Sequence, residues 1–431
     1  MGRDDSAGMI SIQGLPQMYR KGRAIQIAWA VLALSACASI DAQRGARPEP
    51  QAEFRAAWIA TVNNIDFPSR PGLSSTQLRG ELNGIVARAL ELRLNALIFQ
   101  VRPAADAFYK SPLEPWSEWL TGVQGQAPGG RFDPLRYIIE RCHRSGIQLH
   151  AWFNPFRCWH KAATSNPHPS HVTKRAPQLT RRYGKYQWMD PGHPTAQKWT
   201  LAVIQDVIRR YDIDGVHIDD YFYPYPESGK PFPDDATWAV YQQRGGDLRR
   251  ADWRRDNINR FVERLYQLVH NEKPWLLVGI SPFGIARPGV PRGIEAGLDQ
   301  FNDLYADVTK WLRNGWCDYL TPQLYWPIDQ RPQAFAELLN YWRRENVRNR
   351  AIWPGLFTTK IRDGGADIRG TELRDEIFLT RRQAAGMPGH VHFSFNALRG
   401  DHALVGRQLK RSVYTREANI PRLPWLPARK R

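Results

Sequence analysis

The chain has 431 residues, with 60 Lys+Arg against 42 Asp+Glu, a formal net charge of +18 and a pI near 9.9. Apolar content of 42% and charged content of 24% are globular values that exclude a disordered or fibrous chain. The basic residues are scattered as single positions, apart from the tail Arg429-Lys430-Arg431. No nucleic-acid module accompanies them, so the charge reads as a surface property and no nucleic-acid partner is expected.

Residues 1–37 read as an export signal. Tyr19-Arg20-Lys21-Gly22-Arg23 is a basic segment, and Ala24 to Leu34 is an apolar run of signal-peptide length, too short to span a bilayer. Leu34-Ser35-Ala36-Cys37 then places small residues directly before a cysteine. This resembles the bacterial lipobox and makes Cys37 the expected lipidation site; the alternative is a plain signal cut near Ala36 or Ala38. Met18 immediately precedes the basic segment, so residues 1–17 read as an over-early start. Ala38 and Ser39 follow the cysteine without an aspartate, which by resemblance favours a periplasmic protein anchored to the outer membrane. Residues 38–52 read as a flexible tether, and 53–431 as one domain.

From Glu53 onward apolar runs alternate with helix-period segments. Strands are expected at Arg55–Val62, Ala96–Arg102, Gln148–Phe156, Gly215–Pro224, Leu276–Gly284, Tyr319–Trp326, Ala351–Phe357 and Val391–Leu398. Helices are expected at Gln77–Arg93, Pro134–Ser145, Thr195–Tyr211, Ala251–Asn271, Asp303–Asn314, Gln333–Glu345 and Thr371–Ala385. Strands alternating with helices make parallel βαβ units, and eight of them over this length predict a single (β/α)8 TIM barrel. A doubly wound sheet is the alternative, but no G-x-G-x-x-G opens a helix. The segments after strands three, four and five, at Arg157–Pro194, Tyr225–Arg250 and Ile285–Phe301, are long for such loops. They would wall a cleft at the C-terminal rim.

The central stretch is Asp214 to Pro224. Its alternation sets Val216 and Ile218 on one face and His217 and Asp219 on the other. Carboxylates on an inward face are costly unless paired or functional, and this end of a barrel strand is where such folds keep their chemistry. Capping of a following helix is the competing account of Asp219 and Asp220, but it leaves the aromatic tail Tyr221-Phe222-Tyr223 unexplained. Polar groups recur at the other strand ends: Gln100 and Arg102, His150 and Asn154, Ser281, Gln323 and Tyr325, Ser394 and Asn396. Aromatic residues accompany them, Trp326 among them, which suits stacking on sugar rings and hydrogen bonding to hydroxyl and acetamido groups. The expected substrate-binding set is therefore Gln100, Arg102, His150, Asn154, His217, Tyr221, Tyr223, Gln323, Tyr325, Trp326 and Asn396.

Nucleophile elbow, phosphate loop and redox cysteine pair are all lacking. Besides Cys37 there are only Cys142, Cys158 and Cys317, without CxxC or metal spacing, so no metal and no cofactor is expected. Carboxylates at strand ends with aromatic platforms suit glycoside cleavage, in which one carboxyl donates a proton and another serves as nucleophile or base. Asp219 and Asp220 are the catalytic candidates. Because neighbours on a strand face opposite ways, only Asp219 is expected to face substrate directly unless the strand end bends. Asp220 would work from the loop, or hold Arg102 or a ring nitrogen. Asp106, Asp190 and Glu118 are alternatives for the second carboxyl, each more naturally structural.

The motifs Arg55 to Val62, Phe99-Gln100-Val101-Arg102-Pro103, His150 to Pro155, Asp190-Pro191-Gly192, Asp214 to Tyr223, Ser281 to Gly284 and Pro322 to Trp326 together resemble the glycosyl-hydrolase-like barrel lipoproteins, formerly a domain of unknown function. That family includes a divisome-associated hydrolase of denuded peptidoglycan glycans. The resemblance spans Glu53 to about Asn396 and implies an envelope glycoside hydrolase acting on glycan strands stripped of stem peptides. A fainter likeness to the chitinase-type strand D-G-x-D-x-D-x-E fails where His217 and Tyr221 replace acids, so substrate-assisted catalysis is not carried over. The competing expectation is a carbohydrate-binding envelope lipoprotein without catalysis.

Overall fold

The computed structural model describes residues 50–362, 371–384, 386–400 and 405–429. The signal segment, Cys37 and most of the tether lie outside the described residues. The barrel strands are β1 (Phe54–Ile59), β2 (Ala96–Arg102), β3 (Gln148–Phe153), β4 (Gly215–Ile218), β5 (Leu277–Ile280), β6 (Tyr319–Leu320), β7 in two pieces (Ala351–Ile352 and Gly355–Leu356) and β8 (Gly389–His392). Each pairs in parallel with its sequence neighbour, and β8 pairs with β1. The first piece of β7 bonds to β6 and the second to β8, which closes the ring. The split falls at Trp353-Pro354: proline has no N–H for the ladder, yet its carbonyl still accepts from Val391 N at 3.0 Å.

Around the ring lie α1 (Ser75–Glu91), α2 (Pro134–Arg144), α3 (Pro194–Arg210), α4 (Arg250–Glu272), α5 (Val308–Asn314), α6 (Phe335–Glu345), α7 (Thr371–Gln383) and α8 (Val405–Ser412). Their starts are chemically marked. Ser74 and Gln77 form a capping box on α1, and Asp133 and His193 cap α2 and α3 just before a proline at the first helical position. Period-two alternation sorts the strand residues into two cores. Ala57, Ile59, Leu97, Phe99, Leu149, Val216 and Ile218 pack outward on the helices. Phe54, Trp58, Ile98 and Trp152 turn inward with Tyr319 and Trp353, and Phe54 stacks on Trp353 at 3.9 Å between centroids.

Three differences from the sequence reading matter for the site. β4 stops at Ile218, not Pro224, so Asp219 and Asp220 leave the pleat together. β8 stops at His392, and Phe395–Arg399 is helical, because the Ser394 region turns to meet Asp66: Ser394 Oγ donates to Asp66 Oδ1 at 2.8 Å and Asn396 N donates at 2.6 Å. The long segment after β3 is not plain loop. It holds a three-stranded antiparallel sheet of Arg157–Trp159, Thr180–Tyr183 and Tyr186–Met189. The segment after β4 carries a helix at Asp235–Gln243, and the two segments are sewn together by Trp188 Nε1 donating to Phe222 O at 2.9 Å and Thr237 Oγ1 donating to Asp190 Oδ2 at 2.7 Å.

The opposite, N-terminal face is sealed by the chain's own tail. Asn419 exchanges backbone hydrogen bonds with Gln51 and Glu53 at 2.9 and 2.8 Å. Leu423 is buried in the inner core, and Trp425 Nε1 donates to Asp318 Oδ1 at 2.8 Å. The open end of the barrel is therefore the C-terminal one.

Candidate active site

A cleft of about 310 Å³ opens at the C-terminal strand ends. Six aromatic side chains line it, from five different strand ends and rim loops: Trp58, Trp152, Tyr221, Tyr225, Tyr325 and Phe393. Its polar lining comprises Gln100, Arg157, His160, Ser281 and Gln323, and its only carboxylates among the described residues are Asp219 and Asp220. Both acids thus face one cavity, where strict alternation predicts only Asp219; the early end of β4 is the reason.

The two carboxyls are held differently. Asp219 Oδ2 accepts from Trp152 Nε1 at 3.0 Å and from Asn154 Nδ2. Asn154 cannot turn around, because its Oδ1 accepts from Gln100 Nε2 and from Arg157 Nη2. Gln100 is fixed in turn by the Thr61 and Val62 amides, which donate to its Oε1 at 2.8 and 2.9 Å. Burial drives the Asp219 pKa up to about 7, Asp220 adds to the rise, and Arg157 and the Trp152 hydrogen bond oppose it. With two donors on Oδ2, the proton of the neutral acid belongs on Oδ1. Burial also raises Asp220, opposed by hydrogen bonds from the Tyr225 hydroxyl and Gln323.

Below the cleft floor runs a buried polar chain. Trp58 Nε1 and Ser281 Oγ both approach His217 Nε2, at 3.1 and 2.9 Å. His217 Nδ1 lies 3.0 Å from Tyr319 Oη, which lies 2.8 Å from His150 Nδ1; His150 Nε2 lies 3.2 Å from Gln148 Oε1. One proton assignment satisfies every link. His217 carries its proton on Nδ1, Tyr319 donates to His150 Nδ1, and His150 donates from Nε2 to Gln148. Burial lowers both imidazoles, His150 to about 4 and His217 well below its ordinary value, so both are neutral, as the chain requires. Gly215 admits this packing, since a Cβ there would lie 2.4 Å from His150 Nδ1.

Of the residues expected to bind substrate, Gln100, Tyr221, Gln323 and Tyr325 line the cleft. His150 and His217 belong to the layer beneath it, and Asn154 acts on Asp219 from behind. Arg102 is fully buried, paired fork to fork with Glu114 at 2.8 and 2.6 Å; it is therefore not available to Asp220. Tyr223 packs between Phe232 and Tyr305, Trp326 against Phe283, and Asn396 on the Asp66 corner. The alternative acids are likewise spent on scaffolding. Asp106 Oδ1 accepts from Ala104 N at 3.0 Å, Glu118 Oε2 accepts from the Thr164 and Ser165 amides, and Asp190 pairs with Arg181 at 3.0 Å. Trp58, Arg157, His160, Tyr225 and Phe393 line the cleft without having been singled out as substrate ligands. Trp58 stands in a strand otherwise built of small and aliphatic residues at its C-terminal half, which was a legible signal; Tyr225 and His160 lie on loops whose paths the sequence does not reveal. Among the described residues no three His, Cys, Asp or Glu side chains gather to hold a metal.

Comparison with known proteins gives a consistent picture. Residues 53–366 match the family described as glycosyl hydrolase-like 10. Glycosyl hydrolase YngK of Bacillus subtilis (strain 168) is 38% identical over 392 residues, covering 88% of this chain and 76% of YngK. Glycosyl hydrolase DigH of Escherichia coli (strain K12) is 30% identical over 308 residues, covering 67% of this chain and 69% of DigH. Among solved structures, the glycoside hydrolase domain of PgaB (BpsB) from Bordetella bronchiseptica superposes with a TM-score of 0.54 at 15% identity, covering 85% of this chain and 99% of that domain. At that identity the likeness is one of fold.

Proposed function

This chain belongs to the glycosyl hydrolase-like 10 family, and on that premise we propose that it hydrolyses O-glycosidic bonds in bacterial envelope polysaccharide, its substrate being peptidoglycan glycan strands that lack stem peptides. The observation that carries this reading is the pair Asp219 and Asp220, the two acids of an aromatic-lined cleft at the open end of the barrel. Aromatic faces take the C–H faces of sugar rings, and Gln323, Ser281 and His160 offer hydrogen bonds to their substituents.

In the proposed reaction, the Asp219 carboxylic acid gives its Oδ1 proton to the glycosidic oxygen as the bond from the anomeric carbon breaks. Asp220, ionised, faces the positive charge developing on the ring and takes a proton from the water that adds to that carbon. Exchange with solvent restores both acids. The different settings of the two carboxyls support this division: Oδ2 of Asp219 is occupied by donors, and Asp220 is held as an acceptor by Tyr225 and Gln323. We further propose export by residues 1–37 and a lipid anchor at Cys37, tethering the barrel at the periplasmic face of the outer membrane.

The test uses the soluble chain starting near Gln43, incubated with purified sacculi before and after an amidase removes the stem peptides. Sugar fragments detected by mass spectrometry from the denuded material, and lost in Asp219→Asn, are the expected result. Binding to the glycan without release of any fragment would replace the hydrolase reading by that of a carbohydrate-binding lipoprotein.

A further inference from the structure

The cleft contains one arginine whose position the proposed reaction does not account for. Arg157 is 3% exposed and lines the cavity beside Asp219 and Asp220. Three contacts lock its guanidinium. Nε donates to Pro103 O at 3.0 Å, Nη2 donates to Asn154 Oδ1 at 3.0 Å, and the group sits 4.8 Å from the centroid of the Tyr221 ring. The remaining terminal nitrogen, Nη1, has no hydrogen-bond partner among the described residues and is not buried. The little surface that Arg157 keeps therefore belongs to the cleft.

The contrast with Arg102 is informative. Arg102 is equally deep, but its Nε and Nη2 go to Glu114 and its Nη1 to Asn154 O. Arg157 forms no ion pair with any acid among the described residues. A guanidinium buried this far without a carboxylate of its own is costly, and its free Nη1, held in a fixed orientation, is suited to an incoming anion. No second cation shares the task. His160, the other basic group of the cleft, has its pKa lowered to about 4 by burial, with Arg157 adding to the drop, so it is neutral near pH 7. An anionic substrate group placed elsewhere in the cavity would meet only Asp219, Asp220 and uncharged side chains.

We infer that Arg157 is a specificity-determining residue that binds a carboxylate carried by the sugar, and that the cleft thereby selects glycan whose lactyl groups are free acids. This rests on the substrate reading above. In a strand whose stem peptides have been removed at the sugar, each lactyl ether ends in a carboxylate. Where the stem remains, the same carbon is an amide, uncharged and bulkier, and offers the Nη1 donor no charge-assisted hydrogen bond. The preference for denuded strands then has a cause inside the cleft: charge recognition, in addition to the space that a peptide would need.

The experiment compares denuded strands with the same strands after their lactyl carboxylates are converted to methylamides. Wild-type protein is expected to lose about 10- to 100-fold in kcat/KM on the amidated strands, the magnitude of one charged hydrogen-bonding interaction, with most of the loss in KM. Arg157→Gln is expected to bring the ratio between the two substrates close to one, and Arg157→Lys to keep part of it. Because Arg157 also braces Asn154, the absolute rates of both variants fall, and the ratio is the readout. If a variant is too slow to assay, equilibrium binding of the two glycans in an Asp219→Asn background, with and without Arg157→Gln, gives the same ratio. Equal cleavage of both glycans by the wild type would overturn this inference and leave the hydrolase standing. No cleavage of either would overturn the hydrolase, and the binding ratio would still decide the role of Arg157.

Discussion

Strand β4 is bracketed by two aspartates that live opposite lives. Asp214, at its N-terminal end, is surrounded by donors: Leu149 N at 2.9 Å and His143 Nε2 at 2.7 Å reach Oδ2, and Arg429 Nη1 at 3.1 Å reaches Oδ1. Asp219, at the C-terminal end, is buried beside a second carboxyl, and its pKa climbs to about 7. One end binds β3, α2 and the chain's tail together. The other sets a carboxyl in a buried place that raises its pKa. The same residue type is tied into the scaffold at one end and, in the proposed reaction, is available for chemistry at the other, which is the division of labour expected between the two faces of such a barrel.

Substitutions at the two ends should separate these roles, the largest effect first. Asp219→Asn removes the proton donor and should lower hydrolysis of denuded strands by about 10²- to 10⁴-fold while leaving the thermal midpoint unchanged or raised, since a buried like-charge neighbour of Asp220 is gone. A comparable loss of midpoint and rate together would assign Asp219 to the scaffold. Asp214→Ala should do the reverse, costing about 2–3 kcal/mol of stability by stranding the Leu149 amide and the His143 imidazole, with the rate per folded molecule intact in urea-titrated samples. Part of that cost depends on pH. Asp214 raises the His143 pKa above its ordinary 6.5. The ion pair therefore contributes fully below that value and fades as pH rises through the higher folded one. The penalty of Asp214→Ala should accordingly be larger near pH 6 than near pH 9.

The pH profile of kcat/KM sharpens the comparison from the catalytic side. Activity should fall as pH rises above about 7, where Asp219 loses its proton. Asp220→Asn, besides slowing the reaction, should move that limb of the residual activity to lower pH, because the charge that helps hold the proton on Asp219 has been removed. An unmoved limb would mean that the titrating group is not Asp219. The smallest effect is expected from Trp152→Phe. The indole hydrogen bond favours the ionised carboxylate, so its loss should push the limb upward by a few tenths of a pH unit, of the order of a fraction of one neutral hydrogen bond.

Local patterns made much of this legible. The β4 alternation put Val216 and Ile218 outward and His217 and Asp219 inward, as the outer core, the buried polar chain and the cleft show. Helix-period spacing placed the starts of α1, α2 and α3 to within two residues. The pair Asp219-Asp220 stood out because nothing in a strand or turn required two adjacent acids before three aromatics. What failed was depth. His150 and Trp152 share a face of β3, as do His217 and Asp219 on β4, yet the first of each pair lies a layer below the second. Tyr319 from β6 joins the two imidazoles there, and Trp58 from β1 roofs His217.

Chain order and residue chemistry were enough to specify eight strands, their inward faces and the two adjacent acids at one strand's C-terminal end, because alternation and helix-period spacing act within a few positions of one another. The fate of each inward polar group was decided only when the ring closed. Arg102 and Arg157 both follow inward-facing runs of adjacent strands. One is neutralised by Glu114, twelve positions along its own chain, and the other meets no acid to pair with among the described residues. Period two tells which way a side chain points; how far up the barrel it sits, and what waits there, depends on the stagger of all eight strands, and that is a property of the closed sheet alone.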